Sequence, residues 1–147
     1  MEAEKVYNNY LRHEVDGASQ GKLIVMLYDA AIRFMRSAKK DIADKKVEEA
    51  HNNIIRAENI LYELMSTLNT DEGGELAQNL LQLYDFMIWE LVEANTTKRV
   101  DKIENVLKVI TPIRAAWKEV VVRELAEASQ TREQKSADEI KSLNIAG

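Results

Sequence analysis

Between Val47 and Leu68 the apolar residues fall at Val47, Ala50, Ile54, Ala57, Leu61, Leu64 and Leu68, in alternating steps of three and four. That rhythm puts all of them on one face of an α-helix. A strict three-four seam is also what antiparallel bundles use, so this helix needs helical neighbours along its whole length.

Three further runs supply them. The first begins near Ser19, a good N-cap type, and continues to about Asp44, with Leu23, Leu27, Ala30, Phe34 and Ala38 on one face. Another fills Gly73 to Asn95, and the last starts near Val100 with Ile103, Val106, Ile110, Ile113, Trp117 and Val120 on one side. The breaks at 43–46, 69–74 and 95–99 are short, so each helix must turn back beside its predecessor. The expected fold is all-α: an antiparallel up-down-up-down four-helix bundle over 19–128, roughly 30–35 Å long at about 1.5 Å per residue. Pro112 falls inside the last run, where it removes a backbone donor and predicts a kink. The apolar spacing continues past it, which favours one bent helix. An N-terminal arm, 1–18, precedes the bundle and carries Tyr7, Tyr10, Leu11 and Val15; mobile arms seldom hold two tyrosines unless the rings dock. Residues 129–147 are poor in apolar side chains and predict a mobile tail with at most a helical turn around Ile140.

Composition narrows the function. With 46% hydrophobic and 31% charged residues, one proline and five glycines, the chain suits a helical globular protein. A net charge of −5 with no basic stripe argues against nucleic acid. No apolar run is long enough for membrane insertion, the start does not resemble a secretion signal, and there is no cysteine. A soluble cytoplasmic protein is expected, with no cofactor or metal. Catalysis has little support: the histidines are His13 and His51. Glu48 and His51 make a Glu-x-x-His, which di-iron bundles use twice and this chain has once; a solvated histidine is the simpler reading. A histidine phosphotransfer domain using His51 lacks the small and basic neighbours that would cradle a phosphoryl group. The Gly73-Gly74 pair is not followed by Gly-Lys-Ser/Thr and reads as a helix break.

The third run carries more apolar surface than a bundle requires. Leu76, Leu80, Leu83 and Met87 form one stripe, and Ala77, Leu81, Tyr84, Ile88 and Leu91 the next; Phe86 and Trp89 lie outside both. Ile24 and Tyr28 fall beside the first helix's core stripe, and Ile55, Tyr62 and Met65 beside the second's. Each could flank a broad core, but together they exceed what four helices need and point to a surface for an amphipathic or disordered partner. Aromatic and methionine side chains suit such a surface. A rival reading is a structural adaptor that dimerises through the Phe86/Trp89 face.

Gly73-Gly-Glu-Leu-Ala, Leu83-Tyr-Asp-Phe-Met and Glu93-Ala-Asn95 resemble the third helix of the flagellin-specific export chaperones, the FliS family. Leu23-Ile-Val-Met-Leu-Tyr-Asp-Ala-Ala-Ile-Arg-Phe34 resembles that family's first long helix, and Ile113-Arg-Ala-Ala-Trp117 its closing motif. With the Tyr7…Tyr10…Val15 arm, the resemblance runs from about Tyr7 to Trp117. It implies a non-enzymatic cytoplasmic chaperone that binds the C-terminal region of newly made flagellin one-to-one. Such a chaperone blocks premature polymerisation and delivers its client to the cytoplasmic domain of the flagellar type III export gate. It also implies export-gate contact by Tyr7 and Tyr10, an arm that covers part of the client groove, and roles for Asp85 and Asn95 in fixing helix ends or meeting the client backbone. Leu23, Leu27, Tyr28, Leu83, Tyr84 and Trp117 fit the pattern as mostly structural residues. Departures are Gln20 in place of proline, Ala30 in place of glycine, Trp89 in place of a basic residue, and the internal Pro112.

Overall fold

The computed structural model describes residues 20–146, with side chains through 143. Tyr7, Tyr10, Leu11 and Val15 of the arm, and the expected N-cap Ser19, lie outside them. Among the described residues there are four helices: α1 (Gln20–Ala43), α2 (Val47–Ser66), α3 (Gly74–Thr97) and α4 (Val100–Ala146). Each packs on its predecessor and α4 closes against α1, while the diagonal backbones α1/α3 and α2/α4 stay apart. That is the square of an up-down-up-down bundle.

Local chemistry sets the reversals. Between α1 and α2 the chain turns at Lys45, φ 59°, held by Lys46 N–H donating to Asp41 O at 2.8 Å. Asn53 Nδ2 then donates to Asp41 Oδ2 at 2.7 Å, tying α2 to the end of α1. Glu48 and Glu49 occupy the first turn of α2, where negative charge meets the positive end of the helix dipole. The two glycines before α3 do different work. Gly73 N–H donates to Asn69 O at 2.7 Å, and a Cβ at Gly73 would lie 2.7 Å from both that oxygen and Ala77 Cβ. Gly74 has φ +58°, which side chains disfavour.

The α2 seam is buried as read from Ala50 through Ile54, Ala57 and Leu61 to Leu64, with Leu68 partly covered; only Val47, at the helix start, is open. On α1 the core phase is rotated from the expected one. Ala30 and Ala38 are buried as expected, but so are Ile24, Tyr28, Ala31 and Met35, whereas Leu23, Leu27 and Phe34 are half-buried. Tyr28 can sit inside because its hydroxyl finds that of Tyr84 on α3 across the core. Phe34 remains near the surface beneath the guanidinium groups of Arg33 and Arg56, 5.6 and 5.8 Å from its ring centre.

Helix α4 passes through Pro112 without ending and is 47 residues long, about 70 Å at 1.5 Å per residue. Its core face is Ile103, Val106, Ile110 and Val121, so Val121 and not the expected Val120 turns inward at the end. Residues 129–146, expected as a loose tail, are helical, and every side chain from Val122 to Leu143 is exposed. Helix-favouring residues account for the difference: Arg123 pairs with Glu119 at 3.1 Å and Gln134 with Asp138 at 3.2 Å, both at i,i+4 spacing.

Candidate functional site

Helix α3 buries Ala77, Tyr84, Met87, Ile88, Leu91 and Ala94. It leaves Leu76, Leu83, Phe86, Trp89 and Val92 open, Leu76 and Trp89 at 69% and 68% exposure. Polar contacts show which way these residues turn. Glu90 accepts from Asn105 Nδ2 at 3.2 Å and pairs with Lys102 at 3.6 Å, so that side of α3 faces α4. Leu83 and Leu76 lie two and four turns before Glu90 on the same side, with Phe86 a turn away. From Lys102, the same reasoning along α4 reaches half-buried Val109 and Ile113 and exposed Val120. An apolar groove therefore follows the α3/α4 edge.

The opposite side of α3 faces α2. Asn95 Nδ2 donates to His51 Nδ1 at 2.8 Å, because its Oδ1 already accepts from Lys98 Nζ at 2.5 Å. Lys98 also donates to Asn95 O at 2.6 Å, from a left-handed residue that closes the helix, φ 54°. The Asn95 side chain is thus engaged in fixing a helix end, one of the two roles its position implied. Val92 leads away from it along the α3 edge, while Trp89, about 120° round the helix from Asn95 and about 100° from Glu90, points outward between the two edges. Ile55, Tyr62 and Met65 continue from His51 along α2, Tyr62 exposed and the other two half-buried. This is a second apolar groove, with buried Glu58 on its α2 side.

The two grooves share α3 as their common wall. At the end of the bundle where the described chain begins, a cleft of about 330 Å³ opens among Ile24, Leu68, Leu76, Leu80, Tyr84 and Trp117. It joins the α3/α4 groove through Leu76. Burial pushes the Tyr28 hydroxyl far above the ordinary phenol range and raises that of Tyr84 as well. Asp29 and Arg114 pair at 2.7 and 3.3 Å and brace α1 against α4 beside this end; the hydrogen bond to Asp29 raises the Arg114 pKa further.

Of the residues expected to form the surface, Tyr62, Met65, Ile55, Phe86 and Trp89 are on it. Ile24 and Tyr28 are not: at 7% and 0% exposure they belong to the core, because α1 turns a different phase inward. Leu76, Leu83, Val92 and Val120 were not among the expected surface residues. The excess width of the α3 apolar stripes was the signal for the first two. Among the described residues no cluster of three or more His, Asp or Glu could hold a metal ion, and no helix is long and apolar enough to cross a membrane.

A family model described as "Flagellar protein FliS" matches residues 3–124. The chain is 33% identical over 124 residues to the flagellar secretion chaperone FliS of Bacillus subtilis, covering 84% of this chain and 92% of that one. It is 35% identical over 120 residues to the flagellar secretion chaperone FliS of Campylobacter jejuni, covering 82% and 94%. A solved structure described as a flagellar chaperone from bacteria superposes with TM-score 0.67 at 18% identity, covering 82% of this chain and 98% of that one, and so shares the fold.

Proposed function

Starting from the fact that this chain belongs to the FliS family of flagellar proteins, we propose that it holds the C-terminal region of newly made flagellin in the cytoplasm and passes it to the flagellar export gate. The family role is that of a secretion chaperone, not an enzyme. The observation that carries the client reading is the pair of apolar grooves along α3, with Leu76, Leu83, Phe86, Trp89 and Val92 open to solvent. Large contiguous apolar patches mark interaction sites, and two grooves on opposite edges of one helix suit a segment that wraps the bundle. Affinity would come from apolar burial at about 25 cal/mol/Å², less the cost of ordering a segment that is unfolded when free.

The cleft lies at the end of the bundle where α1 begins, and the arm with Tyr7, Tyr10, Leu11 and Val15 precedes α1 in sequence, which supports a part for the arm there. In this reading the arm covers apolar surface when no client is present and Tyr7 and Tyr10 meet the export gate.

Titration calorimetry with flagellin containing, then lacking, its C-terminal segment tests the proposal. One-to-one binding that needs the segment, with a gain of helix in circular dichroism, is expected. Binding indifferent to the segment, or none at all, would sink it. A stable dimer in sedimentation that flagellin fails to dissociate would favour the adaptor that pairs through Phe86 and Trp89.

A further inference from the structure

Glu58 is the one charged side chain buried among the described residues, 9% exposed, and its Oε1 has no hydrogen-bond partner. It stands two turns after His51 and so shares the side of α2 that meets α3 at the His51–Asn95 contact. Antiparallel pairing from that contact brings it level with Ile88, buried on α3. Ile55, Tyr62 and Met65 lie along the same side of α2. By helical spacing the charged residue of α3 on the side toward this stretch is Asp85, another acid, and the other titratable groups on this side of α2 are His51 and Tyr62. Asp85 is like-charged, and none of these groups hydrogen-bonds the Glu58 Oε1. Burial accordingly pushes the Glu58 carboxyl above the ordinary glutamate range, and His51 only partly offsets it.

A buried acceptor without a donor destabilises a fold, and an apolar side chain of similar shape would serve the bundle better. The carboxylate lies on the side of α2 that carries half-buried Ile55 and Met65 and exposed Tyr62. We propose that Glu58 is a specificity-determining acceptor in the α2/α3 groove, paired in the complex by a basic side chain projecting from an otherwise apolar client segment. A basic partner answers both deficits: it donates to the empty oxygen and favours the ionised form against burial, which a neutral hydroxyl would do only in part. The inference rests on the client-binding reading and adds to it a chemical requirement on the client.

Glu58→Leu and Glu58→Gln in the full chain separate this role from a structural one. Each is melted alone and titrated calorimetrically with full-length flagellin beside the wild type. The leucine variant should melt at higher temperature yet bind flagellin about tenfold more weakly or worse, the loss expected for a charge-assisted hydrogen bond. The glutamine variant, close in shape but uncharged, should also lose affinity. Wild-type affinity in either variant overturns the proposal. A leucine variant that loses both stability and affinity assigns Glu58 to the fold and overturns it equally. Failure of the wild type to bind flagellin is a separate result, which removes the client reading and this inference with it.

Discussion

The hydroxyls of Tyr28 and Tyr84 meet in the middle of the bundle and join two helices whose backbones do not touch. Burial deprives both of water, so Tyr84 depends on Tyr28 for a partner, whereas Tyr28 also has a hydrogen bond with Trp117. Replacing Tyr28 by phenylalanine strands the Tyr84 hydroxyl and should cost about 1–3 kcal/mol in chemical denaturation. Replacing both removes donor and acceptor together, so Tyr28→Phe/Tyr84→Phe should cost less than the sum of the single changes. Strict additivity would mean the hydroxyls find other partners. The contrast with Glu58 lies at the same scale. The core satisfies the phenols within the fold and leaves the carboxylate without a donor, which is why the two sites call for different experiments.

Helix α3 is where sequence and surface diverge most, and its two edges can be tested apart. Val92→Lys puts a charge on the α2 side and Leu76→Lys on the α4 side, both at exposed positions. Each should leave stability within about 0.5 kcal/mol of the wild type, as surface changes do, and each should weaken flagellin binding in calorimetry. If only one does, the client uses one groove rather than both. Why these edges were partly legible follows from phase. On α2 a single three-four seam exists, so Ala50, Ile54, Ala57, Leu61 and Leu64 were readable as core. On α1 the unbroken run Leu23 to Tyr28 allows two phases, and only a partner on another helix, Tyr84, decides that Tyr28 goes in and Leu27 half out. The same ambiguity exchanged Val120 for Val121 on α4. Expected surface residues on a helix with one clear phase, such as Tyr62, therefore stood, whereas Ile24 and Tyr28 did not. Glu58 carried no sequence signal, because a glutamate between Ala57 and Leu61 reads as a solvated neighbour of the seam.

For the whole molecule, the bundle and the end of α4 obey different physics. Among the described side chains Val121 is the last buried residue of α4, and the family match stops at residue 124. Beyond it the helix rests on local propensity and i,i+4 pairs, which stabilise an isolated helix by only a few tenths of a kcal/mol each. Helix α3, in contrast, is covered by α2 and α4. Hydrogen exchange in the full chain should therefore be on the order of a hundredfold or more faster for amides of residues 125–143 than for those of 84–94, since opening the former breaks no tertiary packing. Val122, Leu125, Ile140 and Leu143 are exposed on the extension, so protection there comparable to α3 would require something to cover them. Dilution then separates the sources. Protection lost on dilution would come from a second copy, whereas protection that persists would come from elsewhere in the same chain. Fast exchange leaves the extension as a helix held only by its own turns, beyond the bundle that the family model matches.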